Sequence, residues 1–471
     1  MDDGMEPWDC NSDRTLAQSL SSQGAGALPG RISARDGMKD RSDSAAFLFD
    51  EAAIQEYLAF GFNPSEYNQS LLAILSEWSR QPRPDLLNMS EADLVHEGRL
   101  ALKAAIESCA ARTSGKGDQV VFLSGGLDSR TILGALLDHF TTSEIVAATF
   151  GLPGEWDFDF ATTVARAAGV RHERLESFSV DWSTQGLVDS VLARRIPLPY
   201  PFGQRYLSFR LHERIGSENV FWDGLCGDSV SWQPARYFPR KGEVWSWEES
   251  LNRFILFHLL SGWKSLVKPD FDPRSYMPSA PLCDEKLLLA SDQLEFGVRQ
   301  QCYTITRRLS QYAIVTPFLS QPWLDFMFGI PLAYRRDQRL YLQIQRAAFP
   351  KLFALPLTTY HGGNLMQSWI SHRVRELRSR AIGKAARLGV PYLNMAQDGA
   401  NATVRQQYRE PGPIHDLVRQ NLSDLDKRGI VDWIDVNRFL DRRAGDQDMT
   451  MAVVTRLLGL EINLKASEQS R

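Results

Sequence analysis

This 471-residue chain has no run approaching the roughly 18 apolar residues that a spanning helix needs. The nearest, residues 254–260, is far too short. Cysteine is scarce: Cys10, Cys109, Cys226, Cys283 and Cys302 are odd in number and widely spaced. That spacing excludes a disulfide framework and a zinc site, and it suits a reducing cytoplasm. The eight histidines show no metal-ligand spacing. The N-terminus carries Asp2, Asp3 and Glu6 and no apolar core, so it does not read as a signal peptide. Neither sign of charge dominates: 53 Lys and Arg stand against 57 Asp and Glu. A formal charge of −4 gives no field that would draw nucleic acid. There is no internal repeat. With 43% hydrophobic and 23% charged residues, the composition is that of a soluble globular chain long enough for two or three domains.

What the chain does have is one stretch around which the rest is arranged, residues 120–130, VVFLSGGLDSR. Four apolar residues run into Ser124, Gly125 and Gly126, and a helical pattern follows from Thr131 to Leu137. A buried strand, a glycine turn and a helix N-terminus together bring backbone N–H groups to the positive end of a helix, which is an anion site. The two glycines allow close approach of a phosphate. Ser124 and Ser129 add hydroxyls. Asp128 would repel an anion unless a cation lay between them, so it points to Mg²⁺ bridging to a polyphosphate. The plain alternative is a structural turn between strand and helix. The fixed pattern Ser-Gly-Gly-x-Asp-Ser in this context favours a nucleotide.

Residues 1–44 are rich in Ser, Gly, Asp and Arg and read as a disordered tail, with Trp8 and Cys10 as possible anchors. Residues 45–118 read as helical, with apolar faces at Ile54, Tyr57 and Leu58, at Leu71–Leu75, and at Leu94–Ile106. Residues 119–240 alternate between strand and helix. Strands are expected at 145–150, 170–175 and 219–222, and the last runs into the loop Asp223–Ser229. That alternation implies an α/β fold with a parallel sheet covered on both faces and ligands at the carboxyl ends of its strands. Residues 241–465 read as mostly helical, punctuated by Pro317, Pro322, Pro331 and Pro356. Within them Arg373, Arg375, Arg378, Arg380, Lys384 and Arg387 form a basic run. A solvated helix face accounts for it, with a polyanion or acidic-partner site as the alternative. His361-Gly362-Gly363 reads as a helix–helix turn or as a mobile cap carrying a proton.

The loop Ser124–Ser129 resembles the pyrophosphate (PP) loop of ATP pyrophosphatases, in the form found in the asparagine synthetase family. The similarity extends from about residue 50 to about residue 465. It includes Glu51–Phe62, Thr149-Phe150-Gly151, Asp223–Asp228, Val315–Leu319 and the helix from Arg339 to Ala347. The resemblance implies a PP-loop domain with a helical C-terminal region, and ATP and Mg²⁺ as cofactors. A carboxylate attacks the α-phosphorus, pyrophosphate leaves, and the acyl-adenylate passes to ammonia or an amine. The implied cofactor-binding residues are Leu123, Ser124, Gly125, Gly126, Leu127, Asp128, Ser129, Phe150 and Gly224. Asp128 and Asp228 would hold the metal, and Asp128, Asp228 and Arg339 would serve catalysis.

The departures from the family pattern matter equally. Residue 2 is Asp2 where the family's glutaminase half begins with a cysteine nucleophile. The expectation is therefore a synthetase part without that half, served by free ammonia, a separate glutaminase or an amine substrate. Leu225 stands where the second loop usually carries a proton-accepting glutamate. Leu340 falls at or next to the family's phosphate-binding lysine, leaving Arg339 or Arg130 to supply a cation. These features leave two readings. One is an AMP-forming amide ligase acting on a small-molecule or peptide carboxylate. β-lactam synthetases and lasso-peptide cyclases, the latter with a precursor-peptide partner, are similar modifications, and sugar-acid amidation is equally open. The other is a nucleotide-binding but catalytically silent subunit. A tRNA-modifying thiolation enzyme fits poorly with the charge balance, and Cys226 reads as a buried thiol.

Overall fold

The structure is a computed structural model. It describes residues 50–66, 84–113, 115–194, 202–232, 238–239, 243, 245–285, 288–305, 309–387, 411–441 and 447–470. The expected tail at 1–44 and the apolar face at Leu71–Leu75 lie outside these residues.

Five parallel strands form one sheet: β1 (Gln119–Phe122), β2 (Ile145–Gly151), β3 (Arg171–Glu176), β4 (Val220–Trp222) and β5 (Ala313–Val315). Their spatial order is β3-β2-β1-β4-β5. The inner strands are dominated by Val, Ile, Ala, Phe and Trp because helices cover both faces, as parallel sheets require. Val120 packs into one apolar cluster and Val121 into another, so alternation along β1 feeds the two layers separately. The chain runs outward from β1 through β2 to β3, then returns to the other side of β1 as β4. The boundary between β1 and β4 is therefore the topological switch point, and the loops leaving their carboxyl ends diverge there.

β5 comes from the stretch read as helical, so the sheet is not completed within residues 119–240. The Val315–Leu319 segment ends this strand, and the Asp223 N–H donates to the Val315 carbonyl at 3.0 Å. Three residues of β pairing are too short to show the alternation by which strands are recognised in sequence.

Around the sheet lie α1 (Glu51–Phe60), α2 (Glu91–Arg112), α3 (Asp128–Leu137), α4 (Trp156–Ala168), α5 (Thr184–Arg194) and α6 (Phe202–Ile215). The C-terminal part adds α7 (Trp247–His258), α8 (Ala290–Leu294), α9 (Gln321–Gly329), α10 (Arg339–Ala348), α11 (Trp369–Arg387), α12 (Pro413–Arg428) and α13 (Gln447–Gln469). α8 continues as a π-helix over Glu295–Ile305. Sequence chemistry sets several of these ends. Asp50 caps α1 by accepting the Ala53 N–H, and Gly61 closes it in a left-handed conformation. Ser90 caps α2 and Gly169 ends α4 in the same ways. The core of α3 and the sheet is continuous with Tyr341 and Ile344 of α10 and Trp323 of α9. The C-terminal helices thus complete the layer that carries α3 rather than standing apart from it. No described helix is long and apolar enough to cross a membrane.

Candidate functional site

The turn after β1 is built by its own hydroxyls. Ser129 Oγ, on the second residue of α3, accepts the Ser124 N–H at 3.1 Å, and Ser124 Oγ accepts the Gly126 N–H at 3.1 Å. The two hydroxyl oxygens lie 3.2 Å apart. α3 begins at Asp128 with Leu127 as its cap residue and no side-chain cap bond. A helix start without its own cap leaves N–H groups for another acceptor.

The Gly125 N–H already has one. It donates to Asp157 Oδ1 at 3.1 Å, from the first turn of α4. Thr358 Oγ1 donates to the same oxygen at 2.8 Å, and the Thr358 N–H donates to the Gly125 carbonyl at 3.0 Å. A methyl group on Gly125 would lie 2.0 Å from Thr358 Oγ1. Glycine is thus required here by a close approach from the protein's own chain, in addition to any ligand. The Thr358 segment is a compact turn: the Leu357 N–H donates to the Gly363 carbonyl at 2.7 Å, and the Gly362 N–H donates to the Leu357 carbonyl at 3.0 Å. His361 takes a left-handed conformation within it, φ 52°. The helix–helix turn reading describes this segment.

The loops after β1 and β4 meet at their aspartates. Asp128 is half-buried, and its carboxyl is enclosed by backbone and by α10. A Cβ on Gly227 would lie 2.5 Å from Asp128 Cγ, and one on Gly224 would lie 3.1 Å from Asp128 Cβ. Tyr341 of α10, fully buried, donates its hydroxyl to Asp128 Oδ1 at 2.7 Å. Loss of water, and then repulsion from Asp228, push Asp128 up to about 7. Asp228 is also raised, by burial and then by Glu295, against the pull of Arg299 and its bonds to Ser229. Two carboxyls both raised above their ordinary range, with serine hydroxyls beside them, are a hard oxygen donor set suited to Mg²⁺. Among the described residues no group of three or more His, Cys, Asp or Glu could hold a metal. Phosphate and water would therefore have to complete the coordination, as is usual for Mg²⁺.

The third acid near the second loop, Glu295, was not legible in the sequence. It opens the π-helix and is fully buried. Its Oε1 accepts from Ser229 Oγ at 2.9 Å, Gln300 Nε2 at 2.6 Å and Arg299 at 2.8 Å. π-turns change which side chains share a helix face, so the usual i, i+4 reading fails there. Behind the same loop, Arg335 grips Asp292 with both terminal nitrogens, at 2.7 and 3.0 Å, and donates to the Val230 carbonyl at 2.7 Å. Among the described residues, non-glycine positive φ values fall at Cys226, Trp232, Asp337, Gln338 and His361. Four of these flank Asp228 or lead into the helix bearing Tyr341. Backbone strain of this kind persists only where surrounding contacts impose it.

The remaining expected residues are placed as follows. Leu123 is buried and bonds along β2 through both backbone groups, to the Ala148 carbonyl and from the Thr149 hydroxyl. Phe150 is half-buried against the second apolar cluster. Leu127 packs in the core. Gly224 touches Asp128 and Ser129 directly. Leu225 packs against the core, so its position offers no proton acceptor. Cys226 is buried, and burial with neighbouring acids pushes its thiol well up, which makes it a poor nucleophile.

The structure gives both expected cations other surroundings. The Arg339 guanidinium pairs with Glu91 of α2 and lies 5.0 Å over the Tyr334 ring. Tyr341, two residues along, is the side chain that reaches the loop. Arg130 is not an exposed cation at the end of the loop. It is fully buried and donates to the carbonyls of Leu352 and Leu355 at 3.1 Å and Pro356 at 2.6 Å. It therefore clamps the approach to Thr358, and burial lowers it to about 10.

The family model described as asparagine synthase matches residues 101–257. The match spans β1 to β4 and both loops; Glu295, β5 and Tyr341 fall beyond it. No curated protein matches the chain.

Proposed function

With an asparagine synthase domain as the premise, we propose that this protein is an ATP-dependent ligase that adenylates a carboxylate and passes the acyl group to ammonia or an amine. The observation that carries the reading is the meeting of Asp128 and Asp228, from loops on adjacent strands, at the switch point of the sheet.

In this proposal the substrate carboxylate oxygen attacks the α-phosphorus, and the bond to the bridging oxygen breaks to release pyrophosphate. The amine nitrogen then attacks the acyl carbon, loses a proton, and AMP departs. The Ser124–Gly126 backbone and the Ser124 and Ser129 hydroxyls would bind the pyrophosphate oxygens and hold developing charge. Asp128 and Asp228 would hold Mg²⁺, which supplies neutralisation of the leaving pyrophosphate. Tyr341 orients Asp128 through its hydroxyl. Asp157 would have to yield the Gly125 N–H to the incoming anion. The adenine and ribose contacts near Leu123, Phe150 and Gly224 belong to the same proposal. So does a separate amine, glutaminase or precursor-peptide partner.

The second reading, a nucleotide-binding subunit without turnover, draws on Leu225 packed against the core and on Asp157 already occupying the Gly125 N–H. One assay separates the two. The protein is incubated with ATP, Mg²⁺ and pooled small carboxylic acids and amines, and pyrophosphate plus AMP are measured against phosphate plus ADP. The ligase reading expects AMP and pyrophosphate that vanish in Asp128→Ala. Tight ATP binding without either product favours the silent subunit. No ATP binding refutes both.

A further inference from the structure

The helix α11 carries an outer face that the ligase reading does not use. Ile370, Val374 and Leu377 are 68%, 60% and 64% exposed, and Met366 just ahead is 53% exposed. At 3.6 residues per turn these three helical side chains fall within a stripe about 60° wide. The same geometry puts Arg373 about 40° beyond one edge and Arg378 about 40° beyond the other. Both arginines are exposed. Ser379, nearly opposite the stripe, is buried against the body of the protein. The apolar stripe therefore points away from the fold. Along its sequence α11 carries Arg373, Arg375, Arg378, Arg380, Lys384 and Arg387 against Glu376 alone, in a chain of formal charge −4.

We propose that α11 is a docking element for an anionic lipid surface, lying in the headgroup layer with Ile370, Val374 and Leu377 inserted and its arginines on the phosphates. Three features support this occupant. Cations flank the apolar stripe on both sides, which is the arrangement of helices that lie in a charged interface. The stripe lies on the outer side of a single helix, so a lipid layer can conform to it where a short peptide would bury little. A second copy of the chain would set two strongly cationic helices against each other. The inference is independent of the proposed ligase activity.

The test is co-sedimentation of the full chain with vesicles of phosphatidylcholine alone and with equal parts phosphatidylglycerol. The expected result is binding to the anionic vesicles only, weakened by salt. Ile370→Gln with Leu377→Gln should lower the partition coefficient about tenfold or more. Arg373→Gln with Arg378→Gln should lower it and flatten its salt dependence. These side chains face water, so unchanged Tm values would show that the variants fold. Failure to bind anionic vesicles overturns the proposal, as does equal binding by both double variants. Binding of an acidic peptide to α11 without vesicle binding would overturn it in favour of a protein partner.

Discussion

Replacing Asp128 with Asn should change how stability depends on pH, and the direction follows from the site. In the folded protein Asp128 is raised from 3.8 to about 7. Between those values the native state holds a proton that the unfolded chain has released, so stability falls as pH rises through the window. At 1.36 kcal/mol per tenfold change in proton affinity, the full effect is about 4 kcal/mol. Because Asp128 is only half-buried, solvent screening brings the expectation to about 2–4 kcal/mol. Asn is neutral throughout and keeps an oxygen to accept the Tyr341 hydroxyl. The variant and the wild type should therefore match near pH 4, and the variant should be about 2–4 kcal/mol more stable near pH 8 without divalent cations. Urea unfolding of both proteins at several pH values reads this directly. The readout is the difference between them, because Asp424, held low by Lys465, contributes a slope of opposite sign. Wild-type and variant curves that run parallel from pH 4 to 8 would refute the enclosure of Asp128 described above. Adding Mg²⁺ near pH 8 should stabilise the wild type and leave the variant unchanged, since a cation between Asp128 and Asp228 would remove the repulsion.

Two other perturbations test the surroundings of the loop. Arg130→Met removes the buried guanidinium and leaves the Leu352, Leu355 and Pro356 carbonyls without their donor, so it should cost about 3–5 kcal/mol in chemical denaturation. A loss under 1 kcal/mol would mean that the clamp is dispensable. Asp157→Asn keeps an acceptor for the Gly125 N–H while removing a negative charge beside the turn. It should tighten ATP about fivefold in a calorimetric titration, and weaker binding would count against polyphosphate at this turn.

The strand–turn–helix around Ser124–Ser129 was legible because its signal is local. A strand, two glycines, an aspartate and a helix lie within eleven residues, and the second loop follows another apolar strand. The parallel sheet was equally legible, since buried strands alternating with amphipathic helices admit few other arrangements. What escaped was long-range. Tyr341 lies one residue from the expected lysine position at Leu340, but one residue is about 100° around a helix, which decides which side chain faces Asp128. Arg130 looks like any loop-end cation until the 352–356 segment folds over it. Asp157 and Thr358 become partners of Gly125 only through tertiary packing. Glu295 sits at the start of a π-helix, where regular periodicity gives no guide.

The bond from Tyr341 to Asp128 spans 213 residues of sequence, and the Arg130 clamp to Pro356 spans 226. On a ribosome adding about 5–20 residues per second, the partners of the first loop emerge about 10–40 s after the loop itself. During that interval β4 lacks β5 and stands as an exposed edge, and the carboxyl of Asp128 has no phenol beside it. A nascent chain released before Val315 would retain the nucleotide-type signature with an unfinished sheet, prone to pairing with other chains. The order of synthesis therefore makes the long C-terminal part the final assembly step for a site whose sequence signature is already complete at Asp228.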